Sequence, residues 1–451
     1  MNFLFSLLEQ PFIWLTHLSA HRSSDRRRSE HLGLGLDLDT AEIIDLTAKE
    51  LARHCYVLGS TGCGKTTVIL KLIEADIRSD HSLVVVDLRG DLVRGVLGVC
   101  ERLEVDPKRV SLLDLREKEN PTGFNPLAGA GEPFVRALHV LDVVASEAES
   151  WGVQLEETMR SVLLLLAHAN EPLTKLEAIF YDRRFRMRCL NLVSDDALVG
   201  FWARYDDLST EKQQAWALPV LNKITSLLAV PTLRQILSGD RGIDLGSVLN
   251  EKGHIVLVAL AVDELHRSSR MLGSLIVSAI SREMMARVDV PEKQRNAVRL
   301  YVDEFENMAS ESFEGLIAEG RRFGLTLVLS HQTLSQLPAK LRSVVRNNVG
   351  VQLLFQCGYE DARAVARELP KEVDATALRE LEVGQAYMML RDGSVQLIQF
   401  NPPGKTPSTA KVAAYRRRVL PANTVEEFID PAETCSYPDK KETGNLPEEL
   451  L

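Results

Sequence analysis

The sequence predicts an α/β fold: a central sheet rich in parallel strands, with an all-α domain inserted into it. Three observations carry this. In both flanks of the chain short β-branched runs alternate with stretches of helical spacing, the pattern of strand–helix–strand units. Between about Ala128 and Asp240 strand signals give way to helical periodicity. A glycine-rich stretch at residues 59–66 stands between an apolar run and a helical run.

The elements follow in order. Residues 1–31 form an N-terminal apolar and amphipathic segment. Asn2 to Ala20 is rich in Phe, Leu, Ile and Trp, but Glu9, Gln10 and Pro11 interrupt it. Neither half reaches the roughly 20 apolar residues a membrane-spanning helix needs. Arg22, Arg26, Arg27 and Arg28 follow. The first reading is a helix packed on the body or on a neighbouring subunit. The second is an interfacial anchor with a basic flank, which would bring residues 1–28 to a membrane surface.

Residues 32–127 are the first part of the sheet domain. Leu32 to Ala52 reads as a lead-in of turns and amphipathic pieces. His54 to Leu58 reads as a strand and Thr66 to Ser79 as a helix, with Val68, Leu70, Leu72, Ile73 and Ile77 at helical spacing. Leu83 to Asp87 and Val110 to Leu113 suit strands buried on both faces of a parallel sheet.

Residues 128–240 are the helical insert. Leu155, Met159, Val162, Leu163 and Leu166 define one helical face, and Leu218, Leu221, Ile224 and Leu228 another. Residues 241–411 return to the sheet domain. Strands are expected at His254–Leu260, Val298–Val302, Leu325–Leu329 and Val349–Phe355, a long helix at Ser268–Arg287, and a hairpin of Ala386–Leu390 with Val395–Phe400 around Asp392-Gly393. Residues 412–451 are a C-terminal extension whose polar end, beyond about Asp430, is expected to be disordered.

Composition narrows the function classes. Of 451 residues 45% are hydrophobic and 26% charged, enough for a large core. Lys and Arg total 53 against 63 acids, a net charge of -10. That excludes a uniformly basic nucleic-acid binder, but it leaves room for an acidic exterior around a basic channel. The six cysteines are scattered, without metal-ligand spacing, and fit reduced thiols in the cytoplasm.

Gly59-Ser60-Thr61-Gly62-Cys63-Gly64-Lys65-Thr66 is a complete P-loop in the right place, between strand and helix. Glycines let successive N–H groups converge on phosphate oxygens, and the helix N-terminus adds positive potential. Lys65 supplies a charge for the β- and γ-phosphates of ATP, and the Thr66 hydroxyl a ligand for Mg2+. Tyr301-Val302-Asp303-Glu304 ends a later strand on two carboxylates. Asp303 is the candidate magnesium ligand and Glu304 the candidate general base on the attacking water. Gln332, after the next strand, is the candidate sensor of the γ-phosphate. This layout is RecA-like, with one strand between the P-loop strand and the strand bearing Asp303. Arg321 and Arg322 close a helix near Gly320. They read either as a solvated basic helix end or as a source of an arginine finger for a neighbouring subunit.

Together these residues resemble the HerA/FtsK branch of hexameric pumping ATPases, and within it the type IV coupling proteins of the TraD/TraG class that serve conjugative DNA transfer. The resemblance runs from about His54 to about Leu369. It rests on the P-loop with its entry at Val57-Leu58, on Val86-Asp87-Leu88-Arg89-Gly90-Asp91-Leu92 with Arg89 where lysine is usual, and on Phe124-Asn125-Pro126-Leu127. Tyr301 to Glu304, Gly320-Arg321, His331-Gln332 through Leu337, and Asp361-Ala362 complete it in order.

The resemblance implies a RecA-like domain with a helical insert, a homo-hexamer with ATP and Mg2+ between subunits, and Arg321 as the finger acting in trans. It also implies sequence-independent DNA contact, a relaxase or secretion channel as partner, and a place in the cytoplasm or peripherally at the inner face of the membrane. The expected function is therefore ATP-driven DNA translocation. The alternatives are a HerA-like DNA-processing motor, a protein-translocating secretion ATPase, and an adaptor that recruits substrate without turnover.

Overall fold

The computed structural model describes residues 31–47, 50, 52–148, 150–239, 242–308, 311–370, 373–401, 404–405 and 407–422. The expectations for the N-terminal apolar segment and for the polar tail lie outside these residues. No described helix is long and apolar enough to cross a membrane.

The strands are β1 (His31–Asp37), β2 (Ile43–Thr47), β3 (His54–Leu58), β4 (Ser82–Asp87), β5 (Val110–Asp114), β6 (Ile255–Ala259), β7 (Val298–Asp303), β8 (Leu325–His331), β9 (Val349–Phe355), β10 (Gln385–Leu390) and β11 (Val395–Phe400). They form one 11-stranded sheet in the order β2-β1-β11-β10-β9-β3-β8-β7-β4-β6-β5. From β9 to β5 all neighbours are parallel. The strands beyond β9 run antiparallel.

The first difference from expectation lies here. Residues 31–47 are not a lead-in of turns but a hairpin, β1–β2, that extends the sheet by pairing with β11. Their alternation is short and glycine-broken, and they become strands because β11 offers a free edge.

α1 (Lys65–Arg78) and α2 (Asp91–Arg102) cover one face of the sheet. Cys55 and Val57 of β3 pack towards them. Tyr56 and Leu58 pack into the core on the other face, with the long α11 (Val262–Met285) and with α12 (Glu311–Glu319). All five residues of β3 are buried, as a strand covered on both faces requires. α11 starts earlier than the spacing suggests, because its first turn is joined to the rest across a kink at His266 (φ 43°, ψ −110°). A buried ion pair ties the layers: Asp76 of α1 meets Arg299 of β7 and accepts a hydrogen bond from the Tyr301 hydroxyl at 2.5 Å.

The chain between β5 and β6 is helical: α3 (Pro133–Ser146), α4 (Val153–Ala169), α5 (Leu176–Tyr181), α6 (Arg183–Leu190), α7 (Asp196–Asp206), α8 (Thr210–Leu228), α9 (Pro231–Leu237) and α10 (Leu245–Asn250). α4 is the central helix, with residues 162–167 all buried. The face read for α8 holds at Ile224, which is buried, and in part at Leu221 and Leu228, which are half-buried against the core. Ala217, Val220 and Leu227 are also buried, whereas Leu218 is 50% exposed.

Two crossing strands of chain close the insert's neck. Phe124 N donates to Ile236 O at 2.7 Å, and Ile243 N donates to Gly123 O at 2.9 Å. The Phe124-Asn125-Pro126 stretch is gripped by α11: buried Arg282 donates to Pro126 O (3.1 Å) and Ala128 O (2.6 Å). Burial lowers the Arg282 pKa to about 10.

Trp202 is fully buried among Phe180, Phe201 and Tyr205, with ring centroids 5.2–5.8 Å away. Trp202→Ala should cost about 3–5 kcal/mol. Its indole N–H has no partner, so Trp202→Phe should cost far less, as chemical denaturation of the two variants would show.

A further difference concerns the C-terminal boundary. The helix α13 (Thr409–Ala422) spans the expected break at 411/412 and docks on α2. Tyr415 donates to Val105 O at 3.0 Å, and Arg416 bonds Asp114 and Glu117 at 3.0 and 3.1 Å. To residue 422 this helix is part of the sheet domain.

Candidate active site

The P-loop runs from the end of β3 into α1. Gly62 (φ 83°) and Gly64 (φ 114°) hold left-handed backbone that L side chains rarely adopt. A Cβ on Gly59 would lie 2.5 Å from Phe355 Cβ and 2.8 Å from Cys63 Sγ, so the loop's entry is packed against the end of β9. Lys65 Nζ donates to the carbonyls of Gly59 (2.6 Å) and Ser60 (2.9 Å), which centres the ammonium inside the loop.

The ends of three further strands complete the site. Because β3, β8, β7 and β4 are parallel neighbours, their C-terminal ends lie along one edge of the sheet. That brings Gln332 (after β8), Asp303 and Glu304 (β7) and Asp87 (β4) beside the P-loop, the edge where open α/β sheets bind ligands. A chain of hydrogen bonds links them. Thr61 Oγ1 donates to Gln332 Oε1 at 3.1 Å, and Gln332 Nε2 donates to Glu304 Oε1 at 2.6 Å. Arg89 Nη2 lies 3.1 Å from the same Glu304 oxygen. Glu304 is a non-glycine residue at φ 51°, a strained conformation of the kind that collects at functional positions.

The electrostatics invite a cation. Burial raises the Asp303 pKa, and the nearby Asp87 and Glu304 carboxylates add to this, opposed by Lys65. No described cluster of His, Cys, Asp or Glu could cage a metal by itself. Asp303 and Thr66 would offer one carboxylate and one hydroxyl, which with phosphate and water oxygens make the kind of donor set Mg2+ takes in nucleotide sites. The residues present therefore fit Mg2+ bound together with a nucleotide.

Two neighbours titrate abnormally. His331 is pushed down to about 4 by burial and by Lys65, and its Nε2 lies 3.4 Å from the Tyr56 hydroxyl. Glu306 is pushed up to about 7, first by burial and then by Glu304 and Asp303, and its Oε2 has no partner. A raised carboxyl pKa favours the fold most below the ordinary value of 4.5, and that contribution is lost as pH rises through 7. Glu306→Gln should therefore raise the melting temperature at pH 8 and leave it nearly unchanged at pH 4.

Arg321 is not brought into this cluster. It lies in the turn Gly320–Phe323 that precedes β8, at the opposite edge of the sheet. β8 is seven residues long, so roughly 20 Å separates Arg321 from Gln332. Arg321 and Arg322 are both exposed there.

Several contributors carried no signal in local pattern. Gln356, just past β9, accepts the Ser60 N–H at 2.8 Å, and Gly384 N–H donates to Cys63 O at 2.9 Å. Gly384 (φ 85°) braces the outside of the loop, and a Cβ there would meet the Gln399 amide at 2.9 Å. Gly384→Val should weaken nucleotide binding about tenfold, since left-handed strain of ~1–3 kcal/mol falls on the brace. A fluorescent-nucleotide titration would measure it. Arg89 was legible only as a departure from lysine. Its contact with Glu304 depends on β4 and β7 being neighbours.

Fold and site together define a P-loop α/β protein of RecA-like strand order with a helical insert. Residues 39–97 match the family described as the type IV secretion-system coupling protein DNA-binding domain. The structure is similar to that of the plasmid coupling protein TrwB in complex with ADP and Mg2+ (TM-score 0.60, 15% identity, 82% of this chain and 90% of that one). It is also similar to TrwB with a non-hydrolysable ATP analogue (0.59, 15%, 83% and 91%). VirB4 of Thermoanaerobacter pseudethanolicus matches as well (0.56, 13%, 82% and 96%). No curated protein matches the sequence. The chain is thus coupling-protein-like in its fold.

Proposed function

We propose that this chain is an ATP-hydrolysing DNA translocase of the coupling-protein type. The observation that carries it is the convergence of the P-loop, Asp303, Glu304 and Gln332 into one hydrogen-bonded cluster at one edge of a parallel sheet. The P-loop N–H groups and Lys65 would grip the phosphates of ATP, and Thr66 with Asp303 would hold Mg2+, which neutralises charge on the phosphates. Glu304 takes the proton of the attacking water, and Gln332 links the state of Glu304 to Thr61 in the loop. Arg321, exposed and far from its own site, would serve a neighbouring subunit's nucleotide in a homo-hexamer.

The DNA assignment draws support from the matched family, described as a DNA-binding domain, and from the likeness to TrwB. Hydrolysis would drive contacts along the phosphate backbone, independent of sequence and sensitive to salt. A conjugative relaxase or secretion channel is the partner in keeping with this reading. The test is the ATPase rate with and without single- and double-stranded DNA at two salt concentrations. Stimulation that falls steeply with salt supports the reading. Turnover indifferent to DNA at both salts would reassign the motor to protein transport.

A further inference from the structure

Arg89 occupies an unusual position. Its backbone is fixed on both sides: the N–H donates to Asp87 Oδ1 at 2.9 Å, and the carbonyl accepts from Arg116 Nη1 at 2.7 Å. Arg116 is itself held by Asp263 and Glu264, at 2.6 and 3.2 Å. The side chain that leaves this anchored base is 62% exposed, yet it ends 3.1 Å from Glu304 Oε1. Gln332 donates to that same oxygen at 2.6 Å. Two donors therefore converge on one oxygen of the side chain that must accept a proton from water.

We propose that Arg89 is a positioning residue that latches Glu304 and transfers to the γ-phosphate when ATP binds, freeing the carboxylate for the attacking water. The inference rests on the reading of this site as an ATPase. A carboxylate oxygen committed to a guanidinium and an amide is a poor proton acceptor, so the latch suppresses turnover while it holds. The guanidinium end of the pair is exposed and screened by water, so it yields readily. A terminal phosphate carries more charge than a carboxylate and matches the guanidinium fork in two directions. Lysine could pair with Glu304, but it would bind phosphate as a point charge. The anchored base means that only the side chain has to swing.

The test uses the full chain and two probes, a non-hydrolysable ATP analogue with Mg2+ and ADP with Mg2+. Arg89→Ala should weaken the ATP analogue at least tenfold and leave ADP within about twofold, and Arg89→Lys should fall between. Glu304→Gln should tighten the ATP analogue, because Arg89 is no longer held, and that gain should vanish in the Arg89→Ala/Glu304→Gln double variant. Arg89→Ala that shifts both nucleotides equally, or neither, overturns the latch. So does a gain from Glu304→Gln that survives the loss of Arg89. Wild-type protein that binds neither nucleotide sinks the ATPase reading itself and the latch with it, which separates the two failures.

Discussion

Glu304→Gln is expected to retain nucleotide binding, tighter for a triphosphate once Arg89 is released, and to lower steady-state hydrolysis by a factor of roughly 10²–10⁴, the usual contribution of a positioned general base. The substitution keeps the size of the side chain and its acceptor oxygen, so the hydrogen bond from Gln332 can persist. What it removes is the ability to take a proton. The Asp303 carboxylate cannot substitute, because by this reading it is engaged with magnesium. The measurement is phosphate release beside equilibrium nucleotide binding on the same sample. Parallel loss of both would mean that Glu304 shapes the site and does no chemistry. Persistence of biological activity without turnover would favour the adaptor.

Lys65→Ala is expected to have the second large effect, this time on binding. The ammonium sits inside the loop on the Gly59 and Ser60 carbonyls. Removing it leaves the phosphates facing only backbone N–H groups. Truncating one partner of a hydrogen-bonded charge pair typically costs about 2–5 kcal/mol, so affinity for ATP should fall by a factor of at least about 30. Isothermal titration would register the change. The fold itself should survive, because Lys65 is part-buried and touches loop carbonyls, with the apolar core behind it built by Val68, Ile69, Leu72 and Ile73. An unchanged affinity would remove the loop from any role in nucleotide binding.

Both variants act on the same bound nucleotide, Lys65 from its seat on the Gly59 and Ser60 carbonyls and Glu304 from the end of the Thr61–Gln332–Glu304 chain, so their effects on turnover should not add. Residues that act as a unit show such non-additivity.

What the sequence by itself determined was local. The P-loop is contiguous, and its glycines, lysine and threonine need only one strand–turn–helix to come into register. Asp303 and Glu304 were legible because the P-loop upstream gives meaning to a later buried strand that ends on two carboxylates, a pattern common by itself. The buried strands were legible because a parallel sheet covered on both faces demands continuous apolar runs. The helical insert showed through its 3.6-residue period, although on α8 Leu218 points to solvent and Ala217 lies in the core in its place.

The tertiary structure alone decided the rest, because each remaining feature is a contact between distant segments. Strand order is a property of which edges pair, and no period in the chain encodes it. That order, which the RecA-like layout led one to expect but no local pattern encodes, places β8 between β3 and β7 and so lets Gln332 touch both Thr61 and Glu304. Pairing of β4 with β7 brings Arg89 to Glu304. The β10 end delivers Gly384 to the back of the loop, and the free edge of β11 turns residues 31–47 into strands. The same geometry sends Arg321 to the far edge of the sheet. A side chain's chemistry can be read from its letter, but the atoms it meets are set by folding of the whole chain.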